Sequence, residues 1–558
     1  MSRNLGVAAT FLVLATAVAL AAPAPLDLPP GAQAAAKVIA KGAIEGPVRF
    51  LADDQLEGRA PSHRGDVLAR NYVASVMELL GLQPAAPGGG WEQRFELVGI
   101  NTHAPETWAF RARGDELALR FWEEYIAASG LQVPEVSVGD AELVFVGYGI
   151  QAPEYGWDDF KGVDLRGKIL FVMNNDPDWD PALFAGKRRL YYGRWSYKYE
   201  NAARAGAAGA IIIHTTPSAA YGWKVVQNSW TGEQFELPEA GEVRVKVRAW
   251  TTEAAARKLV ALGGFDLDAL MAKAHSREFK PIPLGIRTSL TLTNEISHGE
   301  TANVLGMLPG SDPVLKDQAV VFMAHHDHLG IGKPDAKGDV IYNGALDNAT
   351  GVAQVLAIAK AFMALPERPR RTILFAIVSC EESGLLGSAY YAAHPTFPIE
   401  KIAADVNFDA GNIFGKTRDV ALVGKGKSTL DQVAEAAAAL QGRVVTDEPF
   451  PDRGGYYRSD HFSFARAGVP GLYFKGGLDF VGREPGWGKQ VTEEWGNAHY
   501  HQPSDEYGPS WNFDGMIEDA QMGFLAGLAV AQADAMPTWL PGDEFAKLRQ
   551  TTPARKPE

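Results

Sequence analysis

Cysteine is almost absent from this chain: Cys380 is the only one among 558 residues. A single cysteine excludes an intramolecular disulfide and a zinc site built from several thiolates. Positive charge is also scarce, because 53 Lys and Arg residues stand against 67 Asp and Glu residues, a formal charge of −14. We therefore expect no nucleic-acid partner, since phosphate binding requires a positive surface.

Long apolar runs are confined to the N-terminus. Residues 1–21 combine Arg3, an apolar stretch over residues 5–20 and a small-x-small sequence at 19–21, which is the pattern of a cleavable secretory signal. The alternative is an uncleaved membrane anchor, but the stretch is short for a span and two prolines follow directly. We expect an exported protein, periplasmic or extracellular, without stable membrane insertion after cleavage.

The length of the chain predicts two or three domains. Helical and strand patterns at 37–117 are interrupted at 118–285 by short strand-like pieces between Gly, Asp and Pro turns, and an α/β pattern follows at 286–536. We interpret 118–285 as an inserted, β-rich α/β domain. The last segment, 537–558, is rich in Pro and charge, and we expect it to be a flexible tail.

Strands alternate with helices over residues 286–536, which predicts a mixed, largely parallel sheet flanked by helices. The expected strands are 286–294, 302–308, 318–324, 372–379, 403–408, 419–423 and 469–474. The expected helices are 348–364, 427–441 and 515–535.

The most informative stretch is 320–330, which reads VVFMAHHDHLG. Five apolar or small residues typical of a buried strand are followed directly by His325, His326, Asp327 and His328. An abrupt change from an apolar strand to a His/Asp cluster is typical of an α/β enzyme where a strand ends at the active site.

Further ionisable residues follow other predicted strands or open helices. Asp347 opens a helix, Glu381 and Glu382 follow one strand, Asp409 closes another, and His501 lies between two helices. Each residue alone could be a helix cap or part of a solvated loop. Because the carboxyl ends of parallel strands share one edge of a sheet, we expect these side chains to converge there.

Two histidines, three carboxylates and one spare glutamate suit a pair of Zn²⁺ ions, each bound by an imidazole and a carboxylate, with another carboxylate bridging both. The adjacent glutamates could divide the tasks of metal ligand and proton acceptor. Asp327 is placed to accept the second N–H of His325, and Asp505 could do the same for His501. Cobalt or manganese could also occupy such a site.

These motifs resemble those of the secreted dizinc aminopeptidases, the group that contains bacterial leucyl aminopeptidases and is related to glutamate carboxypeptidase and the transferrin receptor. The resemblance covers residues 37–110, with QLEGRAP near the start, and 296–535. The matching stretches there are AHHDHLG, GALDNATG, SCEESGLLGS, VNFDAGN, SDHFSFARAGVPGLYF and YHQPSDEY.

The resemblance implies a zinc-exopeptidase fold of the phosphorylase/hydrolase-like type, with a protease-associated domain as the insert. It implies two zinc ions, a peptide substrate, Glu381 as general base and Asp327 in support. The implied metal ligands are His325, Asp347 as the bridge, Glu382, Asp409 and His501. The residues that we expect to shape the substrate pocket are His328, Tyr457, Asp460 and His461.

Several functions remain open on these residues. A carboxypeptidase or a glutaminyl cyclase-like acyl transferase could use the same centre, although no motif indicates the basic pocket that a carboxypeptidase needs. A receptor-like binding protein predicts lost ligands, whereas all of them are present. A nuclease or phosphatase fits poorly, since its polyanionic substrate would meet a negative protein. We therefore expect a metallo-aminopeptidase.

Overall fold

The protein is described by a computed structural model over residues 25–181 and 183–549. The predicted signal segment, residues 1–21, lies outside these described residues. Within the described ranges, no helix has the length and apolar character needed to cross a membrane.

A mixed sheet forms the centre of the α/β domain, as predicted. Its four middle strands are parallel and lie in the order Thr372–Val378, Ala319–His325, Ile402–Asn407 and Gly471–Gly476. Antiparallel neighbours extend the sheet with Ile282–Leu308 and then Glu92–His103 on one side and with Asp419–Val423 on the other. The remaining short strands are Gln83–Pro84, Val444–Asp447, Gly330–Ile331 and Ile341–Tyr342.

The middle strands are buried because both faces of the sheet are covered. In Ala319–His325 every residue is buried, and alternate side chains point to opposite faces. Val320 and Phe322 belong to one apolar core and Val321 to another. Continuous apolar sequence is therefore the pattern that this strand requires.

Helices cover both faces. The helices that contribute to the larger core are Ala32–Ala36, Lys41–Leu51, Arg64–Leu79, Thr350–Met363, Leu430–Ala439 and Asp514–Gln532. On the opposite face lie Leu386–Ala393 and His461–Arg466, through Tyr391 and Phe464. A further helix, Trp487–His499, precedes His501.

A second part of the chain has apolar cores of its own. Its strands are Thr107–Ala112, Asp115–Arg120, Tyr125–Ser129, Glu135–Phe145, Gln151–Ala152, Trp157–Asp158, Ile169–Met173, Gly209–His214, Glu233–Glu236 and Val247–Thr252. Its helices are Trp195–Arg204, Thr216–Ala219, Trp223–Ser229, Glu253–Leu262 and Leu267–Ala274. These cores also include Trp108 and Leu292, which flank the predicted insert of 118–285.

Two predicted strands, 286–294 and 302–308, are parts of one strand, Ile282–Leu308. The polar residues between them do not interrupt it, because Glu92–His103 pairs with the long strand from Thr293 to Val304. Backbone pairing along one edge thus maintains the strand where its side chains are exposed. The long strand runs from the second part of the chain into the central sheet.

The predicted flexible tail differs from the structure up to residue 549. Trp539 and Phe545 are buried in one cluster with Tyr456 and Phe462. The indole N–H of Trp539 donates to the carbonyl oxygen of Gly468 at 2.8 Å. This segment packs against the protein despite its polar composition, because each of these two aromatic side chains buries a large apolar area.

Candidate active site

The predicted metal ligands converge at the carboxyl ends of the middle strands. His325 is the last residue of its strand, and its Nε2 lies 3.4 Å from Asp347 Oδ1 and 3.7 Å from Asp409 Oδ1. Asp409 lies two residues beyond the end of the neighbouring strand. Asp347 lies in a π-turn, Ala345–Ala349, that leads into the helix Thr350–Met363.

A second cluster shares Asp347 with the first. His501 Nε2 lies 3.4 Å from Asp347 Oδ2 and 3.1 Å from Glu382 Oε2. Asp347 therefore presents one carboxylate oxygen to each histidine, which is the geometry expected of a bridging ligand. The five residues named as ligands from sequence thus form two adjoining groups around one aspartate.

The donor atoms fit divalent cations. The Nε2 atoms of His325 and His501 are buried and have no hydrogen-bond partner among the described residues. A buried polar atom without a partner is unfavourable, and a cation between the imidazoles and the carboxylates would satisfy it. Imidazole and carboxylate donors together suit zinc.

His328 also lies close to the second cluster, where its ligand atoms group with those of Asp347 and Glu382. Its Nδ1 lies 2.6 Å from Glu382 Oε1, whereas His501 faces the other oxygen, Oε2. His328 thus contacts one oxygen of Glu382 and orients that carboxylate, and His501 stays the predicted ligand.

Asp327 supports the centre differently from the prediction. The Nδ1 of His325 lies 3.2 Å from the backbone oxygen of Asp327, and 3.6 Å from its carboxylate. The carboxylate accepts hydrogen bonds from the backbone N–H groups of Glu381 at 3.1 Å and Glu382 at 3.2 Å. Asp327 therefore holds the two glutamates in position, while its carbonyl meets the imidazole.

The suggested pairing of Asp505 with His501 is wrong. Asp505 accepts hydrogen bonds from the backbone N–H groups of Leu346 at 2.8 Å and Asp347 at 3.1 Å. The Nδ1 of His501 instead lies 2.7 Å from the hydroxyl oxygen of Ser229. Ser229 precedes His501 by 272 residues, and no local sequence pattern connects them.

Arg59, from the QLEGRAP stretch, is a functional residue that the sequence analysis left without a role. Its guanidinium is buried and donates to four backbone carbonyls, those of Leu51, His326, Asn343 and Gly344. Burial lowers the pKa of Arg59 to about 10, so the group stays charged at neutral pH. It connects the loop after His325 to the turn before Asp347.

Glu381 has the properties of a proton acceptor. Burial raises the pKa of its carboxyl well above the usual range, and the Glu382 and Asp409 carboxylates add to this effect against the opposing influence of His325. Unlike Glu382, it also forms part of the wall of the large cavity at the site. A carboxylate of raised basicity beside the ligands and facing this space is placed to accept a proton from a reacting group.

The cavity has a volume of about 530 Å³ and reaches Asp347, Glu381 and Asp409 at one end. Its other walls come from several parts of the chain, including the second part through Ala220, Tyr221, Gly222, Lys224 and Val225, and apolar side chains from Phe414, Phe450, Phe480 and Trp495. A space of this size and character accommodates a peptide end with a large side chain.

The predicted pocket residues His328, Tyr457, Asp460 and His461 do not line this cavity, as far as the described residues define it. All four are buried. The rings of Tyr456 and Tyr473 lie 4.7 Å and 4.6 Å from that of His461. The hydroxyl of Tyr457 donates to Glu544 at 2.7 Å. Tyr457 and His461 thus pack against neighbouring side chains, and a role of the four residues in shaping the substrate pocket stays a prediction.

The α/β fold brings these histidines and carboxylates together in groups that could hold divalent cations. Residues 303–524 match the model of peptidase family M28.

Parts of the chain are also similar in sequence to curated proteins. The chain is 30% identical over 210 residues to leupeptin-inactivating enzyme 1 of Streptomyces exfoliatus, covering 37% of this chain and 42% of that protein. It is 26% identical over 242 residues to probable leucine aminopeptidase 2 of Aspergillus oryzae, covering 39% and 43%. The chain thus spans less than half the length of these curated relatives.

Among solved structures, the aminopeptidase from Aneurinibacillus sp. strain AM-1 matches with a TM-score of 0.50 and 20% identity, over 92% of this chain and 97% of that one. At this identity the likeness concerns the fold. It extends over the second part of the chain as well as over the central sheet.

Proposed function

We propose that the protein is a two-zinc aminopeptidase that removes N-terminal residues from peptides. The observation that carries this proposal is the pair of buried imidazoles, His325 and His501, that face opposite oxygens of Asp347. The match of residues 303–524 to a peptidase family supports the reaction class. The similarity to a probable leucine aminopeptidase supports the N-terminal preference.

Each zinc ion has a set of residues to hold it. His325, Asp347 and Asp409 would bind one ion, and His501, Asp347 and Glu382 the other. Bound there, the ions supply Lewis-acid polarisation of the scissile carbonyl and lower the pKa of a water molecule.

Glu381 moves the proton. Its carboxylate takes the proton of the attacking water and returns it to the nitrogen of the leaving amine. Asp327 keeps Glu381 in place through the backbone hydrogen bond at 3.1 Å.

The aminopeptidase and carboxypeptidase alternatives differ in the charge that the cavity must offer to the end of the peptide. The cations in the cavity wall are Lys224, Arg453, Arg458 and Lys475. Arg453 is paired with Glu493 at 3.1 Å and Lys475 donates to the carbonyl oxygen of Asp409, so a carboxypeptidase would have to use Lys224 or Arg458 for the substrate carboxylate. The carboxylates of Asp347, Glu381 and Asp409 in the same wall suit the free α-amine of an aminopeptidase substrate.

We further propose that the chain is exported to the periplasm or the extracellular space, as the pattern of residues 1–21 predicts. The second part of the chain, which we place at 118–285, serves as a protease-associated domain. Its segment 220–225 contributes to the cavity wall, which supports a role in forming the substrate-binding cleft.

The test compares aminoacyl-p-nitroanilides with N-blocked peptides and C-terminal reporter peptides. We would assay the parent, the chelated protein resupplied with Zn²⁺, and Glu381→Ala. We expect hydrolysis of free-amine substrates alone, lost on chelation, restored by zinc and reduced at least about 100-fold in the variant. Cleavage confined to C-terminal reporters would indicate a carboxypeptidase. Cyclisation of N-terminal glutamine without hydrolysis would indicate a glutaminyl cyclase-like enzyme.

A further inference from the structure

The loop that carries the ligand His501 is held by two side chains from the second part of the chain. The hydroxyl oxygen of Ser229 lies 2.7 Å from His501 Nδ1, and the Asn228 side-chain amide donates to the His501 carbonyl oxygen at 3.0 Å. His501 has a φ of 54°, a left-handed conformation that is unfavourable for a residue with a side chain. The Asn228 hydrogen bond stabilises the backbone at this position.

Ser229 and Asn228 are firmly connected to the core of the second part. They end the helix Trp223–Ser229, in which Val226 is fully buried in that core. The side chains of Trp223 and Gln227 both donate to the carbonyl oxygen of Trp122, at 2.9 Å and 2.7 Å. The two contacts to His501 therefore depend on where this part of the chain lies.

The hydrogen bond to Ser229 holds the ring of His501 in the orientation that a cation ligand needs. Nε2 faces the carboxylates of Asp347 and Glu382 and must be unprotonated to act as a ligand. Nδ1 then carries the proton and needs an acceptor, which the Ser229 hydroxyl oxygen provides. Without that oxygen, Nδ1–H loses its partner and the ring loses the support for this orientation.

The two imidazoles differ in which part of the chain provides the partner of Nδ1. His325 Nδ1 is met by the backbone oxygen of Asp327, two residues further along its own loop. His501 Nδ1 is met by a side chain from the other part of the chain. A displacement of that part would therefore disturb the His501 cluster and leave the hydrogen bond to His325 intact.

We propose that Ser229 is a positioning residue for the metal centre, through which docking of the second part of the chain sets the metal affinity of the His501–Glu382 cluster. This inference rests on the proposed two-metal function. It makes the second part a component of the centre, in addition to its contribution to the cavity wall. Release of the segment 223–229 would favour loss of one metal ion before the other.

The test measures metal binding directly. We would titrate metal-free parent, Ser229→Ala and Ser229→Thr with Zn²⁺ against a chromophoric chelator, and follow Co²⁺ binding by its visible absorption. Thr231→Val is the matched control, because the Thr231 hydroxyl donates to the Gln227 carbonyl oxygen at 2.6 Å in the same segment. Thermal unfolding of each metal-free variant reports whether its fold is intact.

We expect Ser229→Ala to bind one of two zinc ions about 10–100-fold more weakly, with a changed Co²⁺ spectrum for that ion alone. Ser229→Thr, which keeps the hydroxyl, should restore tight binding, and Thr231→Val should match the parent. Two ions bound by Ser229→Ala with parental affinities would overturn the inference and leave the proposed function standing. A parent that binds fewer than two ions would overturn both. If Ser229→Ala unfolds, the zinc affinities of Asn228→Ala are compared with those of the parent, and parental affinities there would overturn the inference.

Discussion

The guanidinium of Arg59 lies 2.6 Å from the carbonyl oxygen of His326 and donates a hydrogen bond to it. The same group donates to the carbonyl oxygen of Gly344 at 2.9 Å. One planar cation thus connects the loops that present His325 and Asp347, through hydrogen bonds to their backbone carbonyl oxygens.

Arg59→Lys should loosen both loops. A lysine carries its three donors on a single nitrogen and cannot span the four carbonyls that the guanidinium reaches, and each buried carbonyl left without a donor costs about 1–3 kcal/mol. We expect the free energy of unfolding to fall by about 3 kcal/mol in denaturant titration. The control Arg64→Lys, at a side chain that is 63% exposed, should change it by less than about 0.5 kcal/mol. Equal losses in both variants would contradict this role of Arg59.

Asp327→Asn should impair catalysis more than metal binding. The amide keeps one acceptor oxygen but turns an N–H₂ group toward the second of the two backbone N–H groups, so Glu381 and Glu382 lose their shared support. We expect kcat to fall about 10–100-fold with bound zinc largely retained, from initial rates and metal analysis. Asp335→Asn is the matched control, since Asp335 accepts backbone hydrogen bonds from Lys337 and Asp339 at 2.7 Å and 3.0 Å. A parental kcat in Asp327→Asn would refute this assignment.

Glu448, in the cavity wall, should make stability depend on pH. Burial raises its pKa from 4.5 to about 7, against the opposing effect of Arg188. Between these two values the folded protein holds more protons than the unfolded chain, so this contribution to the free energy of unfolding falls as pH rises. The total change is at most about 3 kcal/mol. Denaturant titrations of Glu448→Gln across this window should show a flatter dependence, and a parental slope would exclude the effect.

Trp539→Ala should destabilise the protein, although Trp539 lies in the segment that composition predicted to be flexible. The side chain is 8% exposed, packs 5.2 Å from the Phe545 ring and donates to Gly468. Loss of a buried tryptophan costs about 3–5 kcal/mol, which denaturant unfolding would measure. Leu548→Ala, at a position that is 53% exposed, should lie within about 0.5 kcal/mol of the parent. A similar small effect of Trp539→Ala would restore the flexible-tail interpretation.

The convergence of His325, Asp347, Glu382 and Asp409 was predictable because each follows a strand or opens a helix that the local sequence specifies, whereas His501 lies between two helices and was singled out by its motif. His325 ends an apolar strand, and Asp409 follows another, so a parallel sheet brings them together. The pocket residues were not predictable in this way. Tyr457 and His461 lie in a motif near the ligands, yet their side chains pack into aromatic clusters that depend on Tyr473 and Glu544.

Sequence by itself determined the apolar segments that form the strands of the central sheet and the histidines, aspartates and glutamates that follow them. These features depend on short stretches whose periodicity and residue types are local. Tertiary structure decided the partners of those residues: Ser229 for His501, Asp505 for the backbone at Asp347, and Arg59 for the ligand loops. Hydrogen bonds between segments hundreds of residues apart arise from packing of the whole chain, so no spacing in the sequence encodes them.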